Sequence, residues 1–335
     1  MIKLVRITNY VGETLELVLT NPEWSGIYIT EIEGLGPSES NINTTELASI
    51  DGSFFNSARS EERNIVMHLG FMIVPGLVDT IEDARHLTYR YFPNKQKLTF
   101  YIETDYRKLE IDGYVETNEP DIFSKEETAE ISIICPNPAF RLSDKIQQTN
   151  FFGANPLFEF PFECNTTIED EMIQNLYFQT GKEAIPLDYH FLVHSIKTDL
   201  IEFGSIDTNL ERHIEYAGTV ETGVEFHIKA IGEVGDITLY SIFDRGIMKI
   251  YQNKIAEISG QAMNTGDELI ISTEVGNKFA YLLRNGVYRN ILNAIDINSD
   301  WFVLHKGDNA FAFATTVGLS NLQVSIVNKV LYEGV

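Results

Sequence analysis

His190 and His194 stand four residues apart with Asp188 close by, a spacing that on a helix would aim two imidazoles at one metal ion. The residues between them, Phe191-Leu192-Val193, with Pro186 upstream, read as a strand instead. A strand brings positions i and i+4 to the same face but about 13 Å apart, too far to share an ion, so the pair is expected to be structural. Gly34-Leu35-Gly36-Pro37 lacks the third glycine of a phosphate loop, and Pro37 has no amide with which to bind an anion, so it is expected to be a turn. No Gly-x-Ser-x-Gly elbow occurs, and neither Cys135 nor Cys164 has an evident histidine partner. The two cysteines are too few for a disulfide framework and are expected to be small buried hydrophobes. Acidic residues are so abundant that any two could be imagined as a glycosidase pair, which makes the pattern uninformative. Trp301, in Asp300-Trp301-Phe302-Val303-Leu304, could stack on a sugar, but its apolar neighbours favour a core or half-core position. The sequence therefore predicts no catalytic residues, no cofactor and no metal, and hence no enzyme.

The elements that frame these residues are mostly strands. Across 335 residues, 44% are hydrophobic, and 21 Phe and 15 Tyr far outnumber 2 Trp, a balance that suits a β-dominated chain long enough for two domains. Short alternating segments recur from Leu15 onward, separated by Asn21-Pro22, Pro75-Gly76, Gly276-Asn277, Asn285-Gly286 and Gly307-Asp308-Asn309. One helix is expected over 80–92: Thr80 with Asp83 three residues on forms a capping-box start, and Ile81, Ala84 and Tyr91 follow at helical spacing before Pro93. It is the only helix the pattern supports. Pro136-Asn137-Pro138 is the expected boundary between an N-terminal domain, 1–138, and a C-terminal domain, 139–335, with a loop or arm inserted around 165–198.

Ser38 to Glu62 is polar, carries Asp51-Gly52 between alternating segments, and is read as a long hairpin. Phe54 and Phe55 within it need a surface to cover them. Asp51, Gly52, Phe54 and Phe55 are therefore the residues of this hairpin expected to meet another surface.

The formal charge is −24, shared equally by the two halves of the chain on either side of residue 140. Such a surface repels nucleic acid rather than holding it. The N-terminus alternates like a strand and lacks an apolar signal run, and no stretch is long enough to span a membrane, so synthesis in a cytoplasm and no membrane contact are expected.

An ordered series of segments resembles the distal tail protein family of long, non-contractile-tailed phages, especially those of Gram-positive hosts. The N-terminal carriers are Ile32-Glu33-Gly34-Leu35-Gly36-Pro37, Ile50-Asp51-Gly52, Glu62-Arg63-Asn64-Ile65-Val66, the helix leading to Tyr91-Phe92-Pro93, and Ile111-Asp112-Gly113-Tyr114. The C-terminal ones are Ile201-Glu202-Phe203-Gly204, Gly266-Asp267-Glu268-Leu269, Asp300-Trp301-Phe302 and Leu331-Tyr332-Glu333-Gly334-Val335. The stretch from Asn165 to Ile196 departs from the family by its length.

The resemblance implies a mainly β fold: an N-terminal β-sandwich with one α-helix and a belt hairpin, and a galectin-like C-terminal β-sandwich. It implies six copies in a ring that joins the tail tube protein to a tail-associated tip protein, with DNA passing through the channel without specific binding, and it makes Asp51, Gly52, Phe54 and Phe55 the candidate subunit-interface residues, packed on the adjacent copy. The C-terminal domain or its arm would hold a receptor-binding or baseplate protein, and the chain would reside in the virion at the distal end of the tail. The competing reading is a carbohydrate-binding module of a phage tail that contacts cell-wall saccharide. A cell-wall hydrolase ranks last, for want of an acid, a nucleophile or a metal set.

Overall fold

The computed structural model describes residues 1–47, 51–123, 127–150, 153–156, 204–207 and 211–335. Cys164, His190, His194, the strands expected at 157–162 and 189–196 and the arm expected around 165–198 lie outside them. The chain forms two compact units, one made of Met1–Asn150 with Leu210–Val335, the other of Phe151–Asn209. Within the second, β11 (Gly153–Pro156) pairs antiparallel with β12 (Gly204–Asp207).

The first unit is built almost wholly from antiparallel strands. β1 (Ile2–Thr8) and β2 (Thr14–Val18) form a hairpin whose turn is held by Asn9, its Oδ1 accepting from the amides of Val11 and Glu13. β1 also pairs with β7 (Lys97–Thr104), and β7 with β8 (Lys108–Asp121). β8 serves two neighbourhoods. Its first half lies beside β7, and after a register shift between Val115 and Thr117 its second half pairs with β9 (Thr128–Cys135). β6 (Arg63–Phe71) then lies between β9 and β3 (Ile27–Glu33). Alternation puts Val5, Ile7, Ile65, Met67, Leu69, Phe100, Ile102, Ile131 and Ile133 out of solvent, as the period of two requires.

Helix α1 (Ile81–Tyr91) has the expected start: Thr80 and Asp83 form a reciprocal capping box, the Thr80 hydroxyl accepting from the Asp83 amide. It buries Ala84 and Thr88. Among the described residues there is a further helix, α2 (Gln252–Ser259), where the sequence pattern marks none. It spans two turns, begins after Tyr251 with no side-chain cap, and ends at Gly260 in the left-handed conformation, φ 90°. With so short an apolar face and no capping residue, only Gly260 marked it in the sequence.

The C-terminal part is a two-layer sandwich. One layer holds β23 (Leu322–Tyr332), β15 (Glu225–Ala230), β18 (Glu268–Ser272), β19 (Phe279–Arg284) and β20 (Val287–Asn290). The other holds β13 (Glu211–Tyr216), β22 (Gly307–Thr315), β16 (Ile237–Ser241) and β17 (Gly246–Ile250). Phe226 of the first layer meets Phe311 of the second edge to face at 6.0 Å, with Phe302 beside both. A short pair, β14 (Thr222–Gly223) and β21 (Val303–Leu304), closes one end.

The strand β10 (Phe140–Asn150) joins the two parts. It pairs with β8 through Arg141 and Leu142 and with β23 along its length, so thirteen strands form one hydrogen-bonded sheet. Among the described residues, no helix is long and apolar enough to cross a membrane.

Candidate functional site

The hairpin expected between Ser38 and Glu62 is present as β4 (Ser40–Glu46) and β5 (Ser53–Ser60). Gly52 enters β5 at φ 97°, a backbone conformation that only glycine adopts without strain. Every residue of both strands is exposed, including Phe54 at 54% and Phe55 at 67%. Being consecutive in a strand, the two rings lie on opposite faces of the ribbon, opposite Thr45 and Thr44. The structure thus puts the four candidate residues at the far end of one hairpin, but does not gather them on one face.

A two-stranded ribbon with no third strand and no core is marginal in water. Both of its long edges also present unpaired amides and carbonyls, which template further pairing unless something covers them. Few side-chain bonds reinforce this ribbon: Asn56 Nδ2 donates to Thr45 Oγ1 at 2.6 Å, and Asn41 Nδ2 donates to Glu61 Oε1 at 3.1 Å near the root. The shape and exposure suit an element completed by another surface.

Its root, by contrast, is rigid. Glu61 N donates to Glu39 O at 2.8 Å, closing the ladder, and two residues on, Arg63 is 3% exposed. Its guanidinium donates to four backbone carbonyls: Nε to Pro138 at 2.8 Å, Nη1 to Gly34 at 2.5 Å and to Gly36, and Nη2 to Glu333 at 2.5 Å. The fork stacks 4.6 Å from the Phe140 ring centroid. Arg63 therefore ties the strand leaving the hairpin to the turn before it, to the junction at 136–140 and to the C-terminal residues, where Val335 N donates to Leu35 O. Burial lowers the Arg63 guanidinium from its ordinary value, while Cys135 acts in the opposite sense. Burial also pushes the Cys135 thiol up to about 12, so it stays protonated and is no nucleophile.

A second cation fastens β10 to β8. Arg141 donates to both carboxylate oxygens of Asp112, at 2.9 and 3.0 Å, and to Glu110 at 2.8 Å. Asp112 is partly buried, which opposes ionisation, but hydrogen bonds from Arg141 and Thr99 outweigh burial and bring it down to about 2. Neither Arg63 nor Arg141 was singled out in the sequence as a positioning residue, because their partners lie far along the chain.

Among the described residues, Glu31, Glu33 and His68 form the one group whose donor atoms could share an ion, all within 4.8 Å of one another. Both glutamates are exposed, and the proximity follows from the pairing of Glu31 with His68 across β3 and β6. Trp301 is half-buried, with Lys278 Nζ 5.1 Å from its ring centroid.

No protein-family model matches the sequence, and no curated protein matches it. Solved structures do. The fold is similar to that of the SPP1 Dit protein, described as a paradigm of the hub adsorption apparatus in phages infecting Gram-positive bacteria; the TM-score is 0.58 at 10% identity over 98% of this chain and 99% of that one. Two structures of the phage P2 baseplate in its activated conformation match more loosely. The calcium-bound form gives a TM-score of 0.46 at 13% identity over the whole of both chains, and the strontium-bound form 0.43 at 13% over 97% of each.

Proposed function

We propose that this chain is a non-enzymatic structural protein of a phage tail, a distal tail hub whose copies assemble into a six-membered ring. The observation that carries the reading is the likeness of fold to a tail hub protein over nearly the full length of both chains. A fold does not by itself fix function, but the hairpin adds an independent reason. Its uncovered faces and edges, ending in Phe54 and Phe55, supply one repeating heterologous contact of the kind that closes a ring.

In this reading residues 1–138 form the ring and residues 139–335 point outward. One side of the ring meets the tail tube protein and the other a tail-associated tip protein, while the outer domain holds a receptor-binding or baseplate protein. The charge of −24 lets DNA slide through the channel without adhering. The protein then belongs at the distal end of the tail in the virion, after synthesis in the host cytoplasm.

Solution mass and negative-stain images of the purified protein test this. A six-fold ring with a central hole is expected, and the double substitution Phe54→Ser, Phe55→Ser should release monomers of unchanged melting temperature. A ring that survives the double substitution would remove the hairpin from the interface, and a wild-type monomer that no tail tube protein converts to a ring would overturn the hub.

A further inference from the structure

In the C-terminal sandwich His213, His227 and His305 each lie between two carboxylates. For His213 and His227 those carboxylates come from the histidine's own strand and the strand paired with it: Glu211 on β13 and Asp308 on β22, Glu225 on β15 and Glu268 on β18. The ladder holds such partners in place whatever the imidazole does. His305 differs, because its partners belong to separate connections. Its Nδ1 lies 2.9 Å from Glu221 Oε1, in the segment leading into β14, and its Nε2 lies 2.8 Å from Asp244 Oδ1, in the turn between β16 and β17.

Two of the three pieces are fixed. His305 N donates to Asn309 Oδ1 at 2.9 Å, and the buried Asn309 returns a bond from Nδ2 to the His305 carbonyl at 2.6 Å. On the Glu221 side, the amides of Thr219 and Val220 donate to the Leu331 carbonyl, and Thr222 pairs with Leu304. The turn is held less firmly. Beyond Ser241 and Gly246, the last pair of its ladder, Ile242 N donates to Ala310 O, and Ser241 Oγ makes only long contacts with Asp244, at 3.2 and 3.4 Å. Phe243 rides on this turn, 61% exposed, with its ring centroid 5.0 Å from that of the imidazole.

An imidazole that serves two carboxylate oxygens needs an N–H on each nitrogen, and only the charged form has both. Loss of the proton leaves one nitrogen as an acceptor, facing an oxygen that is also an acceptor. We infer that His305 is a proton-operated latch for the β16–β17 turn: charged, it ties Asp244 to Glu221 across the end of the sandwich, and neutral, it lets one of them go. The exposed Phe243 is the surface that the latch positions. Of the other charged groups on these elements, Asp308 is engaged by His213 at 2.7 Å, Arg245 borders a hollow beside Asp296 and Asp300, and Lys306 is exposed. Burial opposes the charge on His305, but the bonds to Glu221 and Asp244 outweigh it and hold the imidazole above the ordinary histidine value. The latch is therefore complete below about pH 6.5 and opens as pH climbs through the folded value. Every residue of it belongs to one chain, so it acts whether or not copies assemble.

Hydrogen exchange of the full chain, read by mass spectrometry at matched pH in parent and variants, tests the latch. At about pH 5.5, peptides covering 241–246 should exchange about ten-fold more slowly in the parent than in His305→Gln, which offers one nitrogen where the imidazole offers two. The difference should shrink as pH rises above about 6.5. Glu221→Ala alters an exposed side chain and spares the fold. It should move the loss of protection to lower pH, because it removes one of the bonds that favour the charged imidazole. A difference between parent and His305→Gln that stays constant or grows with pH would overturn the latch, as would no difference at all, or a pH response left unchanged by Glu221→Ala.

Discussion

Arg63 Nη2 donates to the backbone carbonyl of Glu333, a partner 270 residues further along the chain. With the carbonyls of Gly34, Gly36 and Pro138 also satisfied by the same fork, removing it leaves several polar groups in a buried place. Arg63→Met should lower unfolding stability by about 3 kcal/mol, read from urea titration. Arg63→Lys should recover only part of that, because a single ammonium cannot reproduce the planar fork.

Gly34 sits at φ 80°, and a Cβ there would meet the Asn64 carbonyl oxygen at 2.0 Å. Gly34→Ala should cost about 2 kcal/mol or more in urea titration. Gly36, with nothing within 4 Å of its would-be Cβ, provides the matched comparison: Gly36→Ala should change the midpoint little.

Asp112 should make the fold acid-sensitive in a definite window. Its folded value, about 2, lies below that of an unfolded aspartate. The stability it contributes is therefore present above about pH 4 and is lost as pH falls towards 2. Asp112→Asn should be less stable than the parent at neutral pH, and the difference should shrink on acidification. A constant difference from pH 7 to about 2 would contradict the assignment.

His227 carries the opposite sign. Hydrogen bonding to Glu225 raises it above the ordinary histidine value; burial opposes this, and Glu268 adds to the rise, with both carboxylates at 2.8 Å. A raised folded value means that its stabilisation is complete below the unfolded value, near pH 6.5, and disappears as pH climbs through the folded one. The melting temperature of His227→Gln should accordingly approach that of the parent as pH rises above about 6.5.

What could be read in advance was local. The capping box of Thr80 and Asp83, the turn at Gly34, the exposed hairpin around Gly52 and the alternating strands all depend on neighbours within a few residues, and the sequence carries those signals openly. The features that needed the fold are products of register between distant strands. Nothing near Arg63 announces Glu333; nothing near Glu31 announces His68; and the alternation of β10 does not reveal that it pairs with β8 as well as β23. Helix α2 escaped for a different reason: two turns offer too short a period to stand out beside strands, and Tyr251 gives no capping signal.

The seam at β10 also has a mechanical consequence. Bonds between antiparallel strands lie across the strand axis, so a pull along β10 loads the bonds of Arg141 and Leu142, and the Arg141–Asp112 fork, all at once in shear. A pull at right angles would instead peel them in sequence. The joint between the two halves of this sheet is therefore stiff against stretching along the strand and compliant to bending across it.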